Sequence, residues 1–276
     1  MKALLKSILP QSAINARRML RDKRGLMGVH PLDVNTDVFP TEIDIDQYFA
    51  DPKIDKSWND AHSIISHVTG AENRFDGVNP GDRQAIYKLI AGLKPKSILE
   101  IGTHIGFSTL HMAMAAKTYG DDFKITTVDI EDVNAPNAAW SHCGLQDSPW
   151  ALAEDLNCAW NIEFVKSDAQ SFMVRKDIEK FDFIFLDGDH SSAGVYNEIA
   201  LASQILNDGG VILLHDYYPN AAPLFPDGSI IYGPYYAGER LRSENPTFDI
   251  MPLGDLPWQT KQQSHKTSLA AVLKTK

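Results

Sequence analysis

The chain has 276 residues, 43% of them hydrophobic and 22% charged, with a net charge of −10. That is ordinary globular composition, enough for one large domain or two small ones. No run of 18 apolar residues occurs, so no membrane span is expected, and an acidic body argues against a broad nucleic-acid surface.

The first 25 residues invert the charge balance. Lys2, Lys6, Arg17, Arg18, Arg21, Lys23 and Arg24 stand against Asp22 alone, a net +6 that leaves −16 for the rest of the chain. The segment is too polar for a secretory signal, and Pro10 breaks any single long helix. It reads as a helical arm, either solvated or resting on an anionic membrane surface or a partner subunit. Residues 26–60 are rich in Pro and Asp and read as an irregular lead-in lying over a site. The expected organisation is an extension over residues 1–75 and a main domain over 76–276. A homo-oligomer is expected. Cys143 and Cys158 have no metal-site spacing and read as reduced thiols, which fits a cytoplasmic protein.

A helix is expected near residues 58–68. Asn79-Pro80 starts another, with Asn as cap and Pro in the first turn, and Ile86, Leu89, Ile90 and Leu93 give it one apolar face. From there strands and helices alternate. Strands are expected at Ser97–Gly102, Lys124–Asp129, Glu163–Asp168, Phe181–Asp187 and Val211–Asp216. Helices follow at Phe107–Met114, at 148–158 and at Val195–Leu206, and Asn207–Gly210 reads as a turn. This alternation predicts a parallel sheet with helices on both faces. Phe248–Leu253 and Ser268–Lys274 lack a crossover helix between them and suit an antiparallel edge hairpin.

The carboxyl ends of the five parallel strands carry Glu100, Asp129, Asp168, Asp187 and Asp216. Open parallel sheets bind ligands at that edge. A row of carboxylates repels phosphate, so a dinucleotide is a poor fit and a cationic ligand with ribose hydroxyls is a better one. Gly102 and Gly106 allow close backbone approach, and Asp129 stands where an acid takes a ribose.

The run Glu100-Ile-Gly-Thr-His-Ile-Gly106-Phe-Ser108 resembles the first motif of class I S-adenosylmethionine-dependent methyltransferases. It is most similar to the metal-dependent catechol and caffeoyl-CoA O-methyltransferases. The resemblance runs from about Gly77 to Asp216. It implies a Rossmann-like fold with a seven-stranded, mostly parallel sheet and an S-adenosylmethionine cofactor. Gly102, Thr103, Gly106 and Ser108 would then surround the methionine part, with Glu100 supporting the turn and facing the amino end. Asp129 would hold the ribose, and Asp168 with Ala169 the adenine.

The resemblance also implies a divalent metal at an acid after the fourth strand and two adjacent residues after the fifth. Here these are Asp187 and the pair His215-Asp216. Carboxylates favour Mg²⁺, and a histidine tilts the choice toward Mn²⁺ or Fe²⁺. The alternative leaves Asp187 on cofactor or substrate and His215 merely hydrogen-bonded. Methyl transfer to oxygen needs a base, and His190 stands where relatives carry a lysine; it is the expected base, with Asp187 beside it. The expected acceptor is a small hydroxylated metabolite. The insert 131–150, with Trp140, His142 and Trp150, and the loop 217–240, with six aromatics, either shape its pocket or simply pack. Two other readings stand beside this one. One is an oxidoreductase similar to cephalosporin hydroxylases, which share the fold and an Asp-Gly-Asp-His style segment. The other is a non-catalytic cofactor-binding module.

Overall fold

The computed structural model describes residues 10–70, 76–261 and 263–275, so Lys2 and Lys6 of the basic leader lie outside the described residues. Ten helices are described: α1 Gln11–Met27, α2 Ile45–Phe49, α3 Pro52–Thr69, α4 Pro80–Leu93, α5 Phe107–Ala116, α6 Ala139–His142, α7 Pro149–Asp155, α8 Ala169–Met173, α9 Ser192–Gln204 and α10 Gly233–Glu244. Seven strands form one sheet: β1 Ser97–Ile101, β2 Lys124–Asp129, β3 Ile162–Lys166, β4 Phe181–Leu186, β5 Leu206–Leu214, β6 Phe248–Pro252 and β7 Ala270–Lys274. Their order is β3-β2-β1-β4-β5-β7-β6. The first five strands are parallel, and β7 runs antiparallel to both β5 and β6. This is the Rossmann-like α/β architecture with its antiparallel edge hairpin.

The sheet divides the core in two. Ile98, Phe183, Phe185, Val211 and Leu213 face α3, α4 and α5. Leu99, Ile184, Leu186, Ile212 and Leu214 face α9 and α10. Successive side chains alternate between faces, so a central parallel strand must be apolar throughout. The segment before residue 76 feeds both layers: Phe49, Trp58, Ala61 and Ile65 join the first, Val34, Val38 and Phe39 the second. Cys143 and Cys158 are both free thiols. No helix among the described residues is long and apolar enough to cross a membrane.

Local signals account for several boundaries. The Asn79 side chain accepts the Asp82 N–H at 3.0 Å, and Pro80 opens the helix, as the sequence predicts. The apolar spacing of α4 suggests one buried face, yet Tyr87 and Lys88 are buried as well. The reason is α3, which lays Trp58 edge-on to Tyr87 at 5.4 Å. The expected turn at Asn207–Gly210 is instead absorbed into β5, where the pairing register with β4 shifts between Phe181 and Phe183. The helix α10 lies in a stretch that reads as part of a loop. Its sequence GPYYAGERLRSE has two glycines and a proline, but Ala237 and Leu241 are fully buried against the sheet and outweigh the weak propensity.

Candidate active site

The carboxyl ends of the parallel strands border a cavity of about 600 Å³. Asp129 after β2, Asp187, Asp189 and His190 after β4, and His215 and Asp216 after β5 line it, with Gly102 from the β1 turn. Asp168 and Ala169 line it from the start of α8, and Glu198 from α9. Among the described residues the lining contains no Lys or Arg. A second cavity of about 340 Å³ shares His104, Asp129 and Ile130 with the first and extends beneath the 131–150 insert.

Each acid is held differently. Asp129 accepts the His104 N–H at 2.9 Å through one oxygen and the Glu131 N–H at 3.0 Å through the other, which fixes its carboxylate at the cavity wall. Asp168 caps α8 by accepting the Ser171 N–H at 2.9 Å, and that bond holds its carboxyl below the usual range. Burial raises Glu198 to about 8, with Asp189 and Asp187 adding to the effect. Glu198 is therefore largely neutral at neutral pH.

The first glycine turn is built around a different acid. Glu100 is fully buried and does not line the cavity. It accepts hydroxyl protons from Ser108 at 2.5 Å, from Thr127 at 2.6 Å and from Thr109. Thr103 joins through Thr127 at 2.6 Å. Burial pushes Glu100 up to about 7 against the pull of these hydroxyls. The Glu100 oxygens are thus taken up by side chains of β2 and α5. Thr103, Gly106 and Ser108 also lie off the cavity lining. Gly102 lines it, with φ at 99°, yet a Cβ there would sit 2.4 Å from the Asp187 carbonyl oxygen. Its bare Cα lets the β1 and β4 ends close on each other.

Beyond β4 and β5 the acids and histidines form a connected cluster. His215 Nδ1 lies 2.8 Å from Asp187 Oδ1, and Nε2 lies 3.2 Å from Asp82 Oδ2. Burial works against a charged ring, but Asp187 and Asp216, with hydrogen bonds to Asp187 and Asp82, outweigh it and hold His215 well above the ordinary histidine range. His215 thus bridges Asp187 and Asp82 through its two ring nitrogens. The groups that converge are Asp187, His190 and Asp216, whose ligand-capable atoms lie within 4.8 Å of one another. Asp216 holds φ at 54°, a left-handed conformation rare for a residue with a side chain, and its Oδ2 is 3.6 Å from His190 Nδ1.

Asp82 escapes the sequence reading altogether. It is fully buried, accepting from Asn79 Nδ2 and Thr267 Oγ1, each at 2.5 Å, in addition to His215. Its only visible signal is an acid in the first turn of a helix, which usually means the helix dipole. The His190 loop is wedged from two sides: a Cβ on Gly194 would meet the Asp189 carboxylate at 2.1 Å, and one on Gly233 the His190 carbonyl oxygen at 2.0 Å. Of the aromatics at 217–240, Tyr218, Phe225 and Tyr232 are buried together with Ile230, so packing is their role here.

The sheet order is the Rossmann-like α/β arrangement, and a family model described as a methyltransferase domain matches residues 99–217, somewhat under half of the chain. Among particular proteins, the chain is 28% identical over 166 residues to a rhamnosyl O-methyltransferase of Mycobacterium tuberculosis, covering 58% of this chain and 60% of that protein. It is 30% identical over 143 residues to a caffeoyl-CoA O-methyltransferase of Stellaria longipes, covering 50% and 53%. The chain thus spans under two thirds of the length of these relatives. In structure it is similar to an O-methyltransferase from Bacillus cereus in complex with SAH, with a TM-score of 0.54, 20% identity and coverage of 83% and 97%. It is also similar to the O-methyltransferase TomG from Streptomyces achromogenes in complex with SAM, with a TM-score of 0.51, 17% identity and coverage of 85% and 100%.

Proposed function

We propose that the protein is an S-adenosylmethionine-dependent O-methyltransferase acting on a hydroxyl of a small molecule with divalent-metal assistance. The observation that carries this reading is the cavity's charge: it is lined by Asp129, Asp168, Asp187, Asp189 and Asp216 with no lysine or arginine among the described residues. Such a rim repels a pyrophosphate and attracts a sulfonium. The cofactor would supply the methyl group as a good electrophile.

Asp129 is the residue to hold the ribose, since two backbone N–H groups already fix it and a carboxylate has capacity for two hydroxyls more. Asp168 and Ala169 would border the adenine, and Gly102 the methionine part. Asp187 and Asp216 suit Mg²⁺ or Mn²⁺, which bind through one or two carboxylates and leave positions for water and substrate. A cation there would lower the pKa of an acceptor hydroxyl. His190, on the same rim and about half exposed, takes the proton. His215, tied to Asp82, keeps Asp187 in place. The rhamnosyl relatives make sugar hydroxyls the first acceptors to try, and the caffeoyl relative makes catechols the second.

Calorimetry with S-adenosylhomocysteine, repeated with Mn²⁺, tests the reading. One-to-one binding is expected. Preference for NAD, or for 2-oxoglutarate as the oxidoreductase reading requires, overturns it. His190→Ala should lower kcat about 10²-fold while changing Mn²⁺ affinity less than about threefold. Loss of Mn²⁺ binding in that variant would make His190 a ligand instead of the base.

A further inference from the structure

The outer face of α1 is unlike the rest of this acidic chain. Ala16, Leu20 and Met27 form an apolar strip at helical spacing, with Leu20 50% and Met27 86% exposed. Arg17, Arg21 and Arg24 run beside it at i, i+4 and i+7, and Lys23 flanks its other side; all four are exposed. The helix has one acid, Asp22, whose buried carboxylate accepts from Arg21 Nη2 at 3.2 Å, and Lys23 Nζ lies 5.1 Å from the Tyr236 ring, so Arg17 and Arg24 are the cations of this face that carry neither contact. The inner side is pinned. Asn15 Nδ2 donates to the Gly228 carbonyl at 2.9 Å, Arg18 Nη1 to the Ile230 carbonyl at 3.2 Å, and Ser192 Oγ to the Asp22 carbonyl at 2.5 Å. The cationic face is therefore presented in a fixed orientation, and Ser192 ties it to a point two residues past His190.

We infer that this face docks the protein on an anionic lipid bilayer. A strip of exposed apolar side chains beside a row of cations is the surface of a helix that lies in a membrane interface, its apolar residues dipping below the headgroups. Charge fixes the orientation. The chain beyond residue 25 carries −16, so an anionic surface favours the approach led by α1. The undescribed first nine residues, MKALLKSIL, add two lysines and no acid to the same end of the chain. A duplex nucleic acid would use the arginines but gains nothing from Leu20 and Met27.

The test is sedimentation of the full chain with vesicles of phosphatidylcholine alone and of phosphatidylcholine with phosphatidylglycerol. Binding is expected only to the anionic vesicles at about 0.1 M salt, with release at about 0.5 M. Each surface cation contributes about fivefold, so Arg17→Gln, Arg21→Gln and Arg24→Gln together should weaken partitioning about a hundredfold. Leu20→Ser with Met27→Ser should weaken it about fivefold or more. Circular dichroism confirms that each variant is folded. The inference is overturned if the wild type ignores anionic vesicles, if either set of substitutions leaves binding unchanged, or if duplex DNA binds more tightly than the vesicles. A dimer seen by analytical ultracentrifugation and abolished by the triple substitution also overturns it, since the face would then meet a second copy of this chain.

Discussion

Two strand-end turns in this protein use the same residue types to opposite ends. After β1, Glu100 is sealed from solvent and shared among three hydroxyls, and the space beside Gly102 is filled by the Asp187 backbone. After β2, the Asp129 carboxylate is braced by two backbone N–H groups and lines the cavity. A carboxylate at a strand end is thus a fold element when its lone pairs are spent on side chains inside the core. It is available to a ligand when backbone bonds position it and leave capacity toward open space. Position in the sequence does not separate the two roles; burial does.

The sharpest way to break the contrast is Glu100→Ala. It strands buried hydroxyls of Ser108, Thr109 and Thr127 and should cost about 3–5 kcal/mol. The thermal midpoint should fall by about 10 °C in scanning calorimetry. A midpoint within a degree or two of wild type would mean that the turn does not depend on this acid. Asp129→Asn should do the reverse. Stability stays near wild type, while affinity for S-adenosylhomocysteine drops about 10–100-fold, the worth of hydrogen bonds to a charged group. Unaltered affinity by calorimetry would remove Asp129 from the cofactor site.

The smallest effect concerns pH. Glu100 at about 7 and Glu198 at about 8 both titrate above the ordinary glutamate value of 4.5 because burial disfavours their charge. The folded state therefore holds protons that the unfolded chain has released. Their contribution is complete below about pH 4.5 and is lost as pH rises through 7 and 8. The thermal midpoint should decline between about pH 5 and pH 9, by the equivalent of about 1–3 kcal/mol, and Glu198→Gln should flatten the upper part of the decline. A profile that rises over this range, or a variant with the wild-type slope, contradicts the assignment.

Much of the fold was legible before any coordinates. The strand at Lys124–Asp129 agrees in both bounds, and the Asn79-Pro80 helix start and the tail hairpin are where spacing and turn chemistry place them. The α10 helix was not legible, because its stability comes from burying Ala237 and Leu241 under tertiary contacts rather than from propensity. The candidate site was legible as a row of acids but not as a division of labour. His215 and Asp82 are 133 residues apart, and nothing local in either segment announces the other.

Sequence alone determined the alternation of strands and helices and the placing of acids at strand ends. Both follow from short-range periodicity: two residues per repeat in a strand, 3.6 in a helix, and loops fixed in order between them. Only the tertiary structure decided which acid is buried and which faces the cavity, and that His215 is committed to two carboxylates while His190 stands open beside Asp216. Those outcomes depend on desolvation and on hydrogen-bond partners from distant segments, which exist once the sheet has brought its carboxyl ends together.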